Sequence, residues 1–133
     1  MKFHSLRPMI WTDKLEESIK FYTELLGFSC DEYNPDWKWA SLHKDEAYLM
    51  LASPNEHTPF EGCYFSGSFY FQVDDVDTLW AQLKDEVHIY YPIDDFEFGM
   101  REFGILDING YILQFGKEIE VQKSTDAPPE LTH

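Results

Sequence analysis

Five histidines and two cysteines are the side chains best able to ligate a metal or attack an electrophile: His4, His43, His57, His88, His133, Cys30 and Cys63. None of the histidines stands in an HxH or HExxH arrangement. The cysteines form no CxxC pair, so no zinc site is spelled out. No Ser-His-Asp or Cys-His constellation is legible either. The histidines therefore read as surface or rim residues, and Cys30 as a small packed hydrophobe rather than a nucleophile. Aromatic rings carry more of the chemical signal, at 17% of the chain. Trp37, Trp39 and Ser41 alternate with Lys38, Ala40 and Leu42, which places both indoles on one strand face. Acids cluster nearby at Asp31, Glu32, Asp36, Asp94, Asp95 and Glu97, where they suit a cationic ligand at a rim.

The elements that would position these residues follow from periodicity. Residues 6–12 read as a strand, with Pro8 marking an edge or early position. Asp13 and Glu16 resemble a capping box. Leu15, Ile19, Tyr22, Leu25 and Leu26 then recur at helical spacing, and Gly27 falls where a left-handed C-cap belongs. Strand-like stretches follow at 28–33, 37–43 and 46–52, then a Pro/Gly-containing loop over 53–66. The pattern restarts. Residues 68–73 form a strand, Asp74 or Asp75 caps a helix carrying Val76, Leu79, Trp80 and Leu83, and strands follow at 87–91, 100–106 and 111–116. Asn109-Gly110 reads as a two-residue hairpin turn. The tail from Gln122 reads as disordered.

Strand, helix and three strands thus occur twice, in modules of about 5–53 and 67–117. This is the length of a duplicated unit that cannot bury its own sheet face. Residues 1–121 make one domain and 122–133 a tail. The 133 residues carry a formal charge of −15, a field that opposes nucleic acid and anionic membranes as partners. No apolar run is long enough to span a bilayer. The segment MKFHSLRPMIW is not a secretory signal, so the expected location is cytoplasmic, with reduced thiols.

Three stretches carry a family resemblance: IWTDKLEESIKFYTELLGF (10–28), FYFQVDDVDTLWAQL (69–83) and GMREFGILDINGYILQFG (99–116). In this order and spacing they resemble the vicinal-oxygen-chelate superfamily of glyoxalase I, extradiol dioxygenases and bleomycin-resistance proteins. The third is closest in look to the bleomycin-resistance branch. The resemblance implies an α+β fold. Two βαβββ modules form one curled, cup-shaped mixed sheet, helices lie outside, a ligand sits in the cup, and the protein is often a homodimer.

Enzymes of that superfamily hold a divalent metal with four side chains, on the first and last strand of each module. The matching positions here are Arg7, Met50, Ser68 and Gln114. A guanidinium, a thioether, a hydroxyl and an amide are a poor donor set for such an ion. A rearranged site using His4 is conceivable. Alternation from those positions turns Met9, Tyr48, Tyr70, Gln72 and Ile112 inward as well. Phe98 matches a place where bleomycin-resistance proteins carry a ring.

The reading is of a binding protein rather than an enzyme, with no metal or cofactor. It would sequester a planar small molecule, for which a positive charge suits the acidic rim, in the manner of antibiotic-resistance proteins, through Trp37, Trp39, Tyr48, Met50, Tyr70, Phe98, Arg7 and Gln114. The alternative is a lyase, isomerase or dioxygenase with a non-standard metal site.

Overall fold

A computed structural model describes residues 1–54, 60–63 and 68–119. The tail from Gln122 and much of the 53–66 loop lie outside the described residues. The first module contains β1 (Met9–Trp11), α1 (Leu15–Lys20), β2 (Ser29–Asn34), β3 (Trp39–Lys44) and β4 (Ala47–Ala52). The second contains β5 (Phe69–Gln72), α2 (Val76–Leu83), β6 (His88–Asp95), β7 (Met100–Leu106) and β8 (Ile112–Glu118). This is the expected α+β arrangement of two βαβββ units. Hydrogen bonding groups the strands as two sheets of four, ordered β1-β4-β3-β2 and β5-β8-β7-β6, where a single curled sheet is anticipated from sequence. In each, the first strand pairs in parallel with the last, and the other pairings are antiparallel.

Alternation gives each sheet one apolar face. Ile10, Ala40, Leu42, Leu49 and Leu51 pack under α1, while Phe103, Ile105, Leu113 and Phe115 pack under α2, and these buried residues join in one cluster. Burying a side chain of this size contributes about 1.5–3 kcal/mol. The aromatic contacts Tyr22–Phe28 and Phe28–Phe71 carry the cluster from one module to the other.

Four local features differ from the sequence reading. The first helix is not capped by Asp13. Thr12 Oγ1 accepts the Lys14 N–H at 2.9 Å instead, and the helix begins at Leu15. Beyond Lys20 it widens into a π-helical turn over Phe21–Leu25 before Gly27 at φ 78° ends it. Strand β3 starts at Trp39 rather than at residue 37, because Lys38 takes φ 53° and turns the chain. Trp37 therefore sits in the turn and does not share the strand face of Trp39. At the last hairpin only Gly110 has positive φ, whereas a two-residue type I′ turn needs it at Asn109 too. The loop is instead three residues long, closed by Gly110 N–H to Asp107 O and Asp107 N–H to Tyr111 O. The second helix is capped as expected, by Asp75, which accepts from the Thr78 N–H and hydroxyl.

Candidate functional site

Each sheet leaves the face away from its helix open. On the first sheet, the register Met9↔Met50 and Ser41↔Met50 aligns three strands, and His43↔Tyr48 extends the row. Arg7, Trp39, Ser41, His43 and Tyr48 line a cavity of about 500 Å³ there, with Asp31 and Glu32 at its edge. The Arg7 guanidinium lies 4.3 Å from the centroid of the Tyr48 ring, a cation–π contact. A β-bulge at Asp31 turns its carboxylate toward His43 Nδ1, 2.7 Å away. Cys30 is exposed, not packed. Partial burial and the Asp31 carboxylate push its thiol up, away from the reactive thiolate.

On the second sheet, Ser68, Tyr70, Gln114 and Glu102 share the open face with Tyr91, and they are connected. The Ser68 hydroxyl donates to Gln114 Oε1, and Gln114 Nε2 donates to the Tyr91 oxygen at 2.8 Å. The Tyr91 hydroxyl donates to Glu102 Oε2, and the Tyr70 hydroxyl to Glu102 Oε1 at 2.9 Å. Two glycines make room for the rings. A Cβ on Gly104 would lie 2.5 Å from the Tyr91 ring, and one on Gly116 would lie 1.8 Å from Tyr70 Oη. Burial and the neighbouring carboxylate raise both phenols, Tyr91 to about 12 and Tyr70 further, so both remain neutral donors.

The sequence-predicted set is thus divided. Arg7, Trp39, Tyr48 and Met50 stand on the first open face, and Tyr70 and Gln114 on the second. Trp37 and Phe98 sit in turns, 75% and 59% exposed, with Phe98 stacked on Phe96. Among the described residues no hydrogen bond or ring contact joins the two faces. Tyr48 and Tyr70 nevertheless border the same cavity between the modules, about 890 Å³, whose floor includes Leu26, Phe28, Phe71 and Leu79. Such a volume suits a small-molecule site. Sequence reasoning missed Tyr91 and Glu102. A register shift between Ile89 and Tyr91 breaks the alternation that would have flagged the tyrosine. A glutamate opposite in direction to Arg101 on a strand whose remaining residues are apolar or glycine, with Gly104 and Gly116 near it, was the available signal.

Two consequences are measurable. Because Trp37 is an exposed turn residue, Trp37→Ala shifts the unfolding free energy by no more than about 0.5 kcal/mol in chemical denaturation. A core role would cost roughly 3–5 kcal/mol. The raised phenols predict alkaline sensitivity. A group whose folded value exceeds its unfolded value adds stability that is complete below the unfolded value and fades as pH rises through the folded one. Stability therefore declines between pH 10 and about 12, the interval set by Tyr91. Unfolding midpoints across that range, followed with tyrosinate absorbance, check it. A midpoint flat to pH 12 rejects the tyrosine–carboxylate linkage.

The profile of the Glyoxalase/Bleomycin resistance protein/Dioxygenase superfamily matches residues 4–115, and the chain belongs to that superfamily. Solved structures of the same fold include TioX from Micromonospora sp. ML1, 15% identical, with 88% of this chain and 100% of that chain covered and a TM-score of 0.73. A glyoxalase/bleomycin resistance protein/dioxygenase from Nocardioides is 19% identical over 99% and 91%, with a TM-score of 0.73. Lactoylglutathione lyase from Agrobacterium tumefaciens is 20% identical over 86% and 92%, with a TM-score of 0.69. At these identities the likeness is one of fold. Among curated proteins, none matches the chain.

Proposed function

We propose that this chain is a metal-free binding protein of the bleomycin-resistance kind, which sequesters a flat, cationic small molecule in a cup between open sheet faces completed in a homodimer. The observation that carries the reading is the state of the four positions where the superfamily's enzymes hold their metal. Arg7 is a cation engaged on the Tyr48 ring, Met50 offers a thioether, and Ser68 and Gln114 are bonded to each other. These donors do not suit a divalent ion, and Gln114, the best of them, has its carbonyl already occupied. What the faces offer instead is ring surface, which holds a planar ligand by stacking and area burial. Trp11, Trp37, Tyr70, Tyr90 and Phe98 are all exposed, the kind of apolar surface that a partner copy or a ligand covers.

A thermal-shift screen of planar heteroaromatic cations tests this reading. A ligand present at a hundred times its Kd adds about 2.7 kcal/mol to the stability. Trp39→Ala should weaken any hit at least tenfold while the fold persists. Light scattering that finds only monomer at micromolar concentration removes the dimer from the proposal.

One observation favours a second reading, an enzyme with a rearranged site. His43 held by Asp31 beside Ser41 has the form of a general base oriented by a carboxylate. Stoichiometric metal in the purified protein, or turnover abolished by His43→Gln, would move the assignment to a lyase, isomerase or dioxygenase.

A further inference from the structure

The hydrogen bonds on the second open face all run one way. Tyr91 has a single proton, and Glu102 takes it, so the Gln114 group facing Tyr91 must be its NH₂. The Gln114 carbonyl then faces Ser68, which must donate. Tyr70 donates to the same carboxylate. Every hydroxyl proton of the cluster thus points along the network toward Glu102, and among the described residues no group donates to the oxygens of Ser68 and Tyr70. Among the described residues, the second amide hydrogen of Gln114 has no acceptor. Glu102 is 3% exposed, and no ion pair to it exists among the described residues. The adjacent cation, Arg101, is turned to the helix side of the sheet and held by Asp77 and Asp95. A carboxylate this buried ordinarily has a cationic partner. Ser68 and Tyr70 both border the 890 Å³ cavity between the modules, and Tyr70 is 44% exposed.

We infer that the Ser68–Tyr70–Tyr91–Glu102–Gln114 cluster is the anchor for a positively charged N–H group of the ligand, an ammonium, amidinium or guanidinium. Its hydrogens meet the oxygens of Ser68 and Tyr70, and Glu102 supplies the opposing charge from beneath. Glu102 positions the two tyrosine hydroxyls and sets the field at the site, and the hydroxyl oxygens make the contact. A neutral ligand of the same shape finds acceptors but no compensation for the field. A carboxylate or phosphate meets lone pairs and a negative charge and is excluded. The net charge of −15 attracts cations to the molecule as a whole. The inference rests on the proposed binding role and adds the chemical class that the second face selects.

Benzamidinium and benzamide, nearly equal in shape and differing in charge, serve as probes. Each is titrated into the full chain and followed by amide chemical shifts. Benzamidinium should bind at least tenfold tighter than benzamide, with the largest shifts at Ser68, Tyr70 and Gln114. In Glu102→Gln the two affinities should converge. Should Glu102→Gln not give a folded spectrum, Tyr70→Phe keeps the ring over Gly116, removes the hydroxyl, and should cut the preference by a factor of several. Equal binding of both probes to the unmodified chain overturns the anchor and leaves the aromatic cup standing. The same holds for a preference that survives both substitutions. Shifts confined to the Trp39 face overturn it as well, and so does the absence of any binding.

Discussion

Asp107→Ala is expected to lower the unfolding free energy by about 3–5 kcal/mol, a large share of the roughly 5–15 kcal/mol by which folded domains are stable. Asp107 is 4% exposed and terminates three hydrogen bonds. Its Oδ1 accepts the N–H groups of Asn109 and Tyr111, both at 2.9 Å, and its Oδ2 accepts the Tyr22 hydroxyl at 2.7 Å. Alanine removes the acceptor and leaves three donors short of a partner, and the unmet donors, more than the lost bonds, set the cost. Tyr22→Phe removes a single donor and should cost about 1–2 kcal/mol. The two substitutions share one bond, so the double variant should fall short of their sum. Denaturant titration of the four proteins checks this. A loss below about 1 kcal/mol for Asp107→Ala would mean that the second module's hairpin is not fastened to the first module's helix through this residue.

Gly116→Ala should have the second largest effect, about 2–4 kcal/mol. The added methyl would stand 1.8 Å from Tyr70 Oη and 2.7 Å from its Cζ, so the ring has to leave. Overpacking of this kind costs roughly 1–3 kcal/mol. The displaced hydroxyl also abandons Glu102 Oε1, which adds about 1 kcal/mol. Tyr70→Ala in the same chain removes the clash, so the double variant should be more stable than Gly116→Ala alone. If Gly116→Ala unfolds within 0.5 kcal/mol of the unmodified chain, Tyr70 does not rest over Gly116. The ligand contacts assigned to that face would then need to be redrawn.

Much of the architecture was legible because it is written in local periodicity. The stripes at Leu15, Tyr22 and Leu26 and at Val76 and Leu83 are buried as their spacing requires. The alternation that turns Tyr48, Met50, Tyr70 and Gln114 to the open faces also holds. What could not be read depends on partners far away in sequence. Thr12 displaces Asp13 from the helix start while it sits in a closed ring of side chains. Thr12 donates to Asn109 Oδ1, Asn109 Nδ2 donates to Ser18, and Ser18 returns to Thr12. Asn109 is 97 residues away from Thr12, and a local window cannot contain it. The candidate site divides along the same line. Its strand-borne members follow from alternation, whereas Trp37 was misplaced by one left-handed residue. Tyr91 was hidden by a bulge. Glu102 gained meaning only from the two rings that close over it.

The parallel pairing of each module's first strand with its last has a consequence for the order of assembly. Strands β2, β3 and β4 zip with their sequence neighbours, as do β6, β7 and β8, and such contacts form early because little chain has to be looped. Strand β1 must wait for β4, which lies about forty residues further on, and β5 waits for β8 across a similar span. On a ribosome β1 emerges first and docks last. It is three residues long and pairs with β4 alone in its sheet. The strand that carries Met9, with Arg7 just ahead of it in sequence, is thus the final piece set into its module. Until it arrives, the neighbouring edge of β4 is free to accept the same strand from another copy of the chain.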